Sequence, residues 1–277
     1  MVTYVEAASV PRRNSGQIKL YTKDDFAGMR RASQLTATCL DAIAKLIRPG
    51  VDTDEIDAFV YDFAMQHDAI PATLGYRGYW KSSCTSVNHV VCHGIPGNKP
   101  LREGDIVNVD VTLIVDGWHG DSSRMYPVGE VKRAAQRLMD VTYDAMMLGI
   151  AAIRPGGFTG DIGAAIQEYA EAERCSVVRD FCGHGVGRLF HDAPNILHYG
   201  TRGDGVELRP GMIFTVEPMI NLGRPQVKVL SDGWTAVTRD RSLSAQFEHS
   251  VGVTEDGVEI FTKSPAGLDR PPYPGSE

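Results

Sequence analysis

Five acidic or imidazole side chains stand in stretches that are otherwise apolar or rich in glycine. They are Asp110 in IVNVDVTLIV, Asp121 in WHGDSSRMY, His184 in FCGHGVGR, Glu217 in FTVEPM and Glu248 in SAQFEHSVGV. Aspartate is depleted in strands, and an unpaired buried carboxylate is costly, so Asp110 needs a cation, a shared proton or a hydrogen-bond network. Asp116-Gly117 reads as a two-residue hairpin loop, which sets Thr112 opposite Asp121. Asp110 and Asp121 then become diagonal neighbours on one face, roughly 7 Å apart. A divalent metal, a shared proton or an arginine such as Arg124 would each relieve their repulsion. Singly, the other three residues have plain structural readings: a tight turn for His184, a helix cap for Glu217, an ion pair with Arg239 or Arg241 for Glu248. Together, four carboxylates and one imidazole make a hard, oxygen-rich donor set suited to Mn(II), Fe(II), Co(II) or Zn(II) and unlike a Cys-rich structural zinc site. Two divalent ions balance four carboxylate charges, and bridging carboxylates would hold them roughly 3.5 to 4 Å apart, with a water between them ionising near neutral pH.

Other chemistries find less support. There is no GxSxG, Cys92-His93 are sequence neighbours rather than a nucleophile–base pair, and no P-loop lysine or GxGxxG accompanies the glycines near His184. The five cysteines (Cys39, Cys84, Cys92, Cys175, Cys182) contain no C-x-x-C, which argues against a disulfide framework and favours a reducing, cytoplasmic setting. A net charge of −7 without a Lys/Arg cluster beyond Arg12-Arg13 and Arg30-Arg31 disfavours nucleic acid as a substrate. With 43% hydrophobic and 23% charged residues the composition is that of a globular protein, no apolar run reaches membrane-spanning length, and the opening MVTYVEAASVPRR is not a secretory signal.

The elements that must position the five residues are legible in outline. Residues 1–16 read as a mobile tail and residues 265–277 as a flexible, Pro-rich one, with neither expected to carry chemistry. Thr22-Lys23-Asp24-Asp25 forms a capping box for a helix carrying Phe26, Met29, Leu40, Ile43 and Ile47 and stopping at Pro49-Gly50. A second helix begins with Thr53 as N-cap, and a third runs from Val131 to Ile153. Between them, ATLGYRGYWKSSCTSVNHVVCHGIPG suits a loop and short strands lining a cavity. The chain also repeats itself. IRPGVDTDEID at Ile47 returns as IRPGGFTGDIG at Ile153, an offset of 106, and LREGDIVNVD at Leu101 returns as LRPGMIFTVE at Leu208, an offset of 107. This implies one domain over residues 17–264, built as two α/β halves (17–130 and 131–264) about a pseudo-twofold axis, with Asp110 and Glu217 at equivalent strand positions.

HGIPG after Val91-Cys92, VNVDVT, HGDSSRMY, GHGVGR-x-FH, RPGM-x-F-x-VEPM and DRSLSAQFEHS resemble the motifs of the type I, bacterial-style methionine aminopeptidases, over about Asp25 to Phe261. The resemblance implies an α+β pita-bread fold, with a curved antiparallel sheet covered by helices and a dinuclear metal centre held by Asp110, Asp121, His184, Glu217 and Glu248. It makes His93 a contact to the scissile amide nitrogen or the leaving amine and His191 to the scissile carbonyl oxygen, and lets Glu217 relay a proton. It places Tyr76, Tyr79, Cys84, Phe190 and Trp234 around the methionine side chain, whose thioether suits an aromatic, thiol-bearing cavity. Thr73 departs from a cysteine common in relatives at the pocket rim, which bears on pocket polarity and sensitivity to thiol reagents. Asn88 and Ser244 match positions that hold a monovalent cation in some relatives.

The short Glu217–Glu248 interval leaves no room for the helical insertion of type II relatives, and no zinc-finger extension is expected before the domain. The function implied is removal of the initiator methionine from nascent polypeptides when the next residue is small, by a cytoplasmic monomer whose partners are polypeptide N-termini and, transiently, the ribosome. Two other readings stand beside it: a related peptidase cleaving before proline, and a non-enzymatic pita-bread binding module.

Overall fold

The computed structural model describes residues 2–273. The first half runs β1 (Tyr4–Glu6), β2 (Ile18–Leu20), α1 (Lys23–Ile43), α2 (Thr53–Gln66), β3 (Ile70–Pro71), β4 (Cys84–Val87), β5 (Val90–Cys92), β6 (Ile106–Val115) and β7 (Trp118–Pro127). The second half runs α3 (Arg133–Ala151), α4 (Thr159–Ala172), β8 (Ser176–Val177), β9 (Gly183–Gly185), β10 (Asp192–Ile196), β11 (Ile213–Val216), β12 (Met219–Asn221), β13 (Val227–Val229), β14 (Ala236–Thr238), β15 (Ser244–Gln246), β16 (His249–Val253) and β17 (Val258–Ile260). Strand pairing is antiparallel throughout the described sheets except between β1 and β2.

The repeat is written in matching hydrogen bonds. Gly50 N–H donates to Leu101 O and Leu101 N–H to Val51 O, both at 2.8 Å; Gly156 N–H donates to Leu208 O (2.8 Å) and Leu208 N–H to Gly157 O (2.7 Å). Asp54 N–H to Gly97 O is matched by Gly160 N–H to Asp204 O. Each half therefore closes the turn before its second helix onto the turn before its sheet in the same way, with a pair of helices covering strands. In the first half Leu40, Ile43, Ile56 and Val60 pack on Val107, Val109, Val111 and Leu113. In the second, Leu138, Ile150, Ile162 and Ile166 belong with Phe214, Val216, Val251 and Val253.

Strand alternation sorts the residues of β6. Odd-numbered Val107 to Leu113 face the helices, so even-numbered Asn108, Asp110 and Thr112 face the centre of the molecule. The β6–β7 loop has the expected two residues, with Asp116 at φ +50° and Gly117 at φ +77°, the signs a type I′ turn requires, and Thr112 pairs with Asp121. By the same alternation Arg124 leaves the central face: it is buried against α1, paired with Asp41, and does not partner Asp110 or Asp121.

Helix α1 lies so close to β7 that backbones touch. Thr36 Oγ1 donates to Gly120 O at 2.8 Å, and a methyl placed on Gly120 would sit 2.4 Å from the Ala32 carbonyl. We expect Gly120→Ala to cost about 1 to 3 kcal/mol through this overpacking, read as a lower urea midpoint at unchanged m.

Several boundaries differ from the sequence reading. The Thr22–Asp25 capping box is present, but α1 stops at Ile43 rather than Pro49-Gly50, and α3 spans Arg133–Ala151 rather than Val131–Ile153. The N-cap of α2 is Asp52, not Thr53, because Glu55 closes a capping box onto the Asp52 N–H at 3.0 Å. Both expected tails contain residues that pack on the domain. Tyr4 donates to Glu207 O (2.8 Å) from a strand paired with β2, and the buried Tyr273 packs on Tyr126 and donates to Met125 O (2.9 Å). Residues 274–277 of the expected C-terminal tail lie outside the described residues.

Candidate metal centre

The strands of both halves bring the five sequence-selected residues to one cavity of about 320 Å³, lined also by Tyr76, Tyr79, Cys84, His93, Phe190, His191 and Trp234. Asp110 and Asp121 arrive from β6 and β7, His184 from β9, Glu217 from the end of β11, and Glu248 from the residue before β16. The halves are fastened at this level. Glu248 N–H donates to Ser123 O (3.1 Å), Ser122 Oγ to Glu248 O (2.7 Å), Ser250 Oγ to Asp121 O (2.7 Å) and Asn108 Nδ2 to Gln246 O (2.7 Å).

The convergence is one of acceptors. His184 Nδ1 lies 3.1 Å from Gly185 O, so it carries the proton and donates, which leaves Nε2 with a lone pair. That nitrogen faces Asp121 Oδ2 at 3.6 Å and Glu217 Oε1 at 3.5 Å. Asp121, His184 and Glu248 each present a ligand atom within 4.8 Å of the other two. Asp110 and Glu217 line the same cavity but fall outside that closest trio. Neutral donors supply only part of the balance: Thr112 Oγ1 to Asp121 (2.6 Å), Thr215 Oγ1 to Glu217 (2.7 Å) and Gln246 Nε2 to Glu217 (3.2 Å).

Burial pushes the Asp110 carboxyl up to about 7. It raises Asp121, Glu217 and Glu248 well above the usual carboxylate range, with the neighbouring Asp110 and Asp121 charges adding to it. Four crowded carboxylates facing an imidazole lone pair, with Arg124 turned away, fit divalent cations bound by oxygen and nitrogen.

A pH dependence follows for metal-stripped protein. A carboxyl whose folded pKa is raised binds more protons when folded, so its contribution to stability is lost as pH rises from the ordinary 3.8 through about 7. The other three carboxylates act in the same direction. We expect the thermal midpoint of stripped protein to fall as pH rises from about 4 through about 7, and saturating Mn(II) to flatten or reverse that slope. A flat profile without metal would mean the four groups are well solvated.

The remaining residues form the walls. Tyr79 meets Trp234 edge-on at 5.1 Å, and its hydroxyl donates to Ser83 O (2.9 Å) and Gly94 O (3.3 Å). Tyr76 stacks on His191 at 5.2 Å and tilts against Phe190 at 4.9 Å. His93 has φ +54° and presents its ring edge-on to Phe181 (5.4 Å) and Trp234 (6.3 Å). Its proximity to Trp234 comes from β5 pairing with β14, Cys92 opposite Ala236. Burial lowers His93 and, helped by His184 and His93, takes His191 down to about 2, so both are neutral at physiological pH. Thr73 Oγ1 donates to Lys81 O at 2.9 Å, so its hydroxyl is engaged. Asn88 and Ser244 meet elsewhere, Ser244 N–H donating to Asn88 O at 2.9 Å.

Sequence reading did not single out Thr215 or Gln246, nor give Thr112 its role as a donor. The signal was available in part: Thr215 and Gln246 lie two residues before Glu217 and Glu248, the spacing that turns side chains of an extended chain to one side. His198, whose Nε2 accepts the Glu217 N–H at 3.1 Å, had no such signal because it comes from a distant loop.

Acids and an imidazole gathered where two pseudo-symmetric halves meet are the plan of a pita-bread metallopeptidase. Residues 27–255 match the family described as Metallopeptidase family M24, and the chain belongs to that family. Within it, the kinship is with the methionine aminopeptidases. The chain is 59% identical to Methionine aminopeptidase of Rickettsia prowazekii (strain Madrid E) over 258 residues, 92% of this chain and 99% of that protein. The crystal structure of methionine aminopeptidase from Rickettsia prowazekii superposes with a TM-score of 0.88 at 58% identity, covering 89% of this chain and 100% of that one. Prolidase from Pyrococcus furiosus shares the fold, with a TM-score of 0.70 at 20% identity over 88% of this chain and 65% of that one. Among the described residues no helix is long and apolar enough to cross a membrane.

Proposed function

We propose that this chain is a metal-dependent aminopeptidase that hydrolyses the peptide bond after the N-terminal methionine of new polypeptides when the following residue is small. The observation that carries the reading is the junction, in one cavity, of the acceptor cluster and an aromatic, thiol-bearing wall. The cluster is suited to divalent cations and the wall to a flexible thioether.

Asp110, Asp121, His184, Glu217 and Glu248 are proposed to hold two divalent ions, with Mn, Fe, Co and Zn all compatible with the donor set. Bound there, such ions supply Lewis acidity and lower the pKa of water toward neutrality. The rest is done by the chain. Glu217, which lines the cavity and is hydrogen-bonded by Thr215 and Gln246, is suited to take a proton from the attacking water and pass it on. The buried Nδ1 of His191 has no hydrogen-bond partner among the described residues, which favours the lone pair there and the proton on Nε2, available to the scissile carbonyl oxygen. His93 is assigned to the amide nitrogen that becomes the leaving amine. Tyr76, Tyr79, Cys84, Phe190 and Trp234 enclose the methionine side chain and exclude water.

A panel of Met-Ala and X-Pro peptides, assayed with Mn(II), Fe(II), Co(II) or Zn(II), tests this reading. Turnover of Met-Ala with no turnover of X-Pro is expected. Preference for X-Pro would reassign the chain to proline-directed peptidases, and metal binding without turnover of either would make it a binding module.

A further inference from the structure

His191 has a proposed job but few fixtures. An imidazole that must present one nitrogen to a substrate is usually oriented by a hydrogen bond at the other. Here the buried Nδ1 has none among the described residues, and the ring is held by its neighbours Tyr76, His184 and Phe190. What remains is the backbone, and it is gripped by the segment that precedes α1. The next residue, Asp192, opens β10 and forms a buried ion pair with Lys19 of β2, side-chain exposures being 4% and 5%. Lys19 Nζ also donates to Arg13 O (3.3 Å), and Asn14 Nδ2 reaches His191 O itself at 3.4 Å. On the other side, Arg188 N–H points to the Tyr21 hydroxyl at 3.5 Å, and any side chain at Gly187 would strike that tyrosine. The segment from Arg13 to Tyr21 thus grips the 187–192 loop at both ends.

We propose that Lys19 is a positioning residue for His191, its ammonium holding the Asp192 carboxylate and so fixing the backbone that aims the imidazole. The inference rests on the role given to His191 above. It turns Arg13 and Asn14, at the end of the stretch the sequence marks as a chemically idle tail, together with the first residues of the domain, into part of the active-site frame. A buried lysine and aspartate in isolation would be poor value as stability devices, because two charges must be stripped of water to meet. Geometry at a reacting centre gives the pair a different purpose, since a displacement of about 1 Å there can cost about 100-fold in rate.

The test is a double-mutant cycle in metal-loaded, full-length protein. Lys19→Met/Asp192→Leu removes both charges together, so neither is left buried alone. On a Met-Ala peptide, kcat should fall roughly 10- to 100-fold with KM within about twofold, while metal content and thermal midpoint stay near the parent's. In a His191→Ala background the same two substitutions should cost less than about twofold, because what they aim is gone. Parent-like kcat in the folded double variant overturns the proposal, as does a loss of equal size with and without His191. If His191→Ala alone keeps the parent rate, the role of His191 fails first and takes this inference with it. Milder variants cover a chain that does not fold: Lys19→Arg should hold kcat within about threefold and Lys19→Gln should not, and equal rates in the two overturn the proposal.

Discussion

Asp110→Asn should purify with little metal and almost no peptidase activity, while keeping its fold. The substitution is nearly isosteric, and Asp110 sits on β6 between Cys84 and Ser123 in a fully formed ladder, so the backbone has no reason to move. What changes is electrostatic. One of four anionic donors becomes a neutral amide whose NH2 group can turn toward the space a cation would occupy, and the charge available to balance divalent ions drops. Loss of affinity should reach at least the order of 10²-fold, beyond the usual effect of disturbing a residue that only supports a ligand. Elemental analysis of protein purified without added metal, paired with turnover of a Met-Ala peptide, reads both consequences. Normal metal content with full turnover would remove Asp110 from the centre.

His93→Ala should separate what Asp110→Asn joins. His93 lines the cavity but is absent from the trio of closest ligand atoms, and its ring packs edge-on to Phe181 and Trp234. Metal uptake should therefore survive, whereas kcat should fall on the order of 10²- to 10⁴-fold, the usual range for a positioned group acting on a proton in the transition state. That corresponds to about 2.7 to 5.5 kcal/mol of activation free energy. KM for a Met-Ala peptide should move far less, since the methionine pocket keeps its aromatic walls. Wild-type kinetics would exclude His93 from the chemistry.

The parts legible in the sequence are those fixed by short-range rules. The Asp-Gly loop and the two-residue period of a strand are enough to place Thr112 opposite Asp121 and to turn Asp110 and Asp121 to the same side. The same period decides against Arg124 as their partner, because even and odd positions of β7 face opposite layers. The repeated Leu-Arg-x-Gly motif puts Asp110 and Glu217 at matching places in two halves, and the hydrogen bonds that close each half match as well. What was not legible depends on partners far away in the chain. Nothing near Tyr273 announces that its hydroxyl will find Met125 O, so that segment reads as a tail, and nothing near Lys19, at the start of the domain, announces Asp192. His198 beneath Glu217 escapes for the same reason. The end of α1 at Ile43 is a milder case: Pro49-Gly50 bars a helix but does not require one to continue up to it.

The positive φ of His93 carries a consequence for evolution in the laboratory. A left-handed backbone is unfavourable by roughly 1 to 2 kcal/mol for a residue with a β-carbon, and glycine escapes that penalty. Glycine at position 93 would relieve that strain but give up the ring contacts with Phe181 and Trp234 along with the imidazole. A stability screen that samples position 93 therefore needs activity as a second filter, because the backbone and the chemistry ask for different residues there.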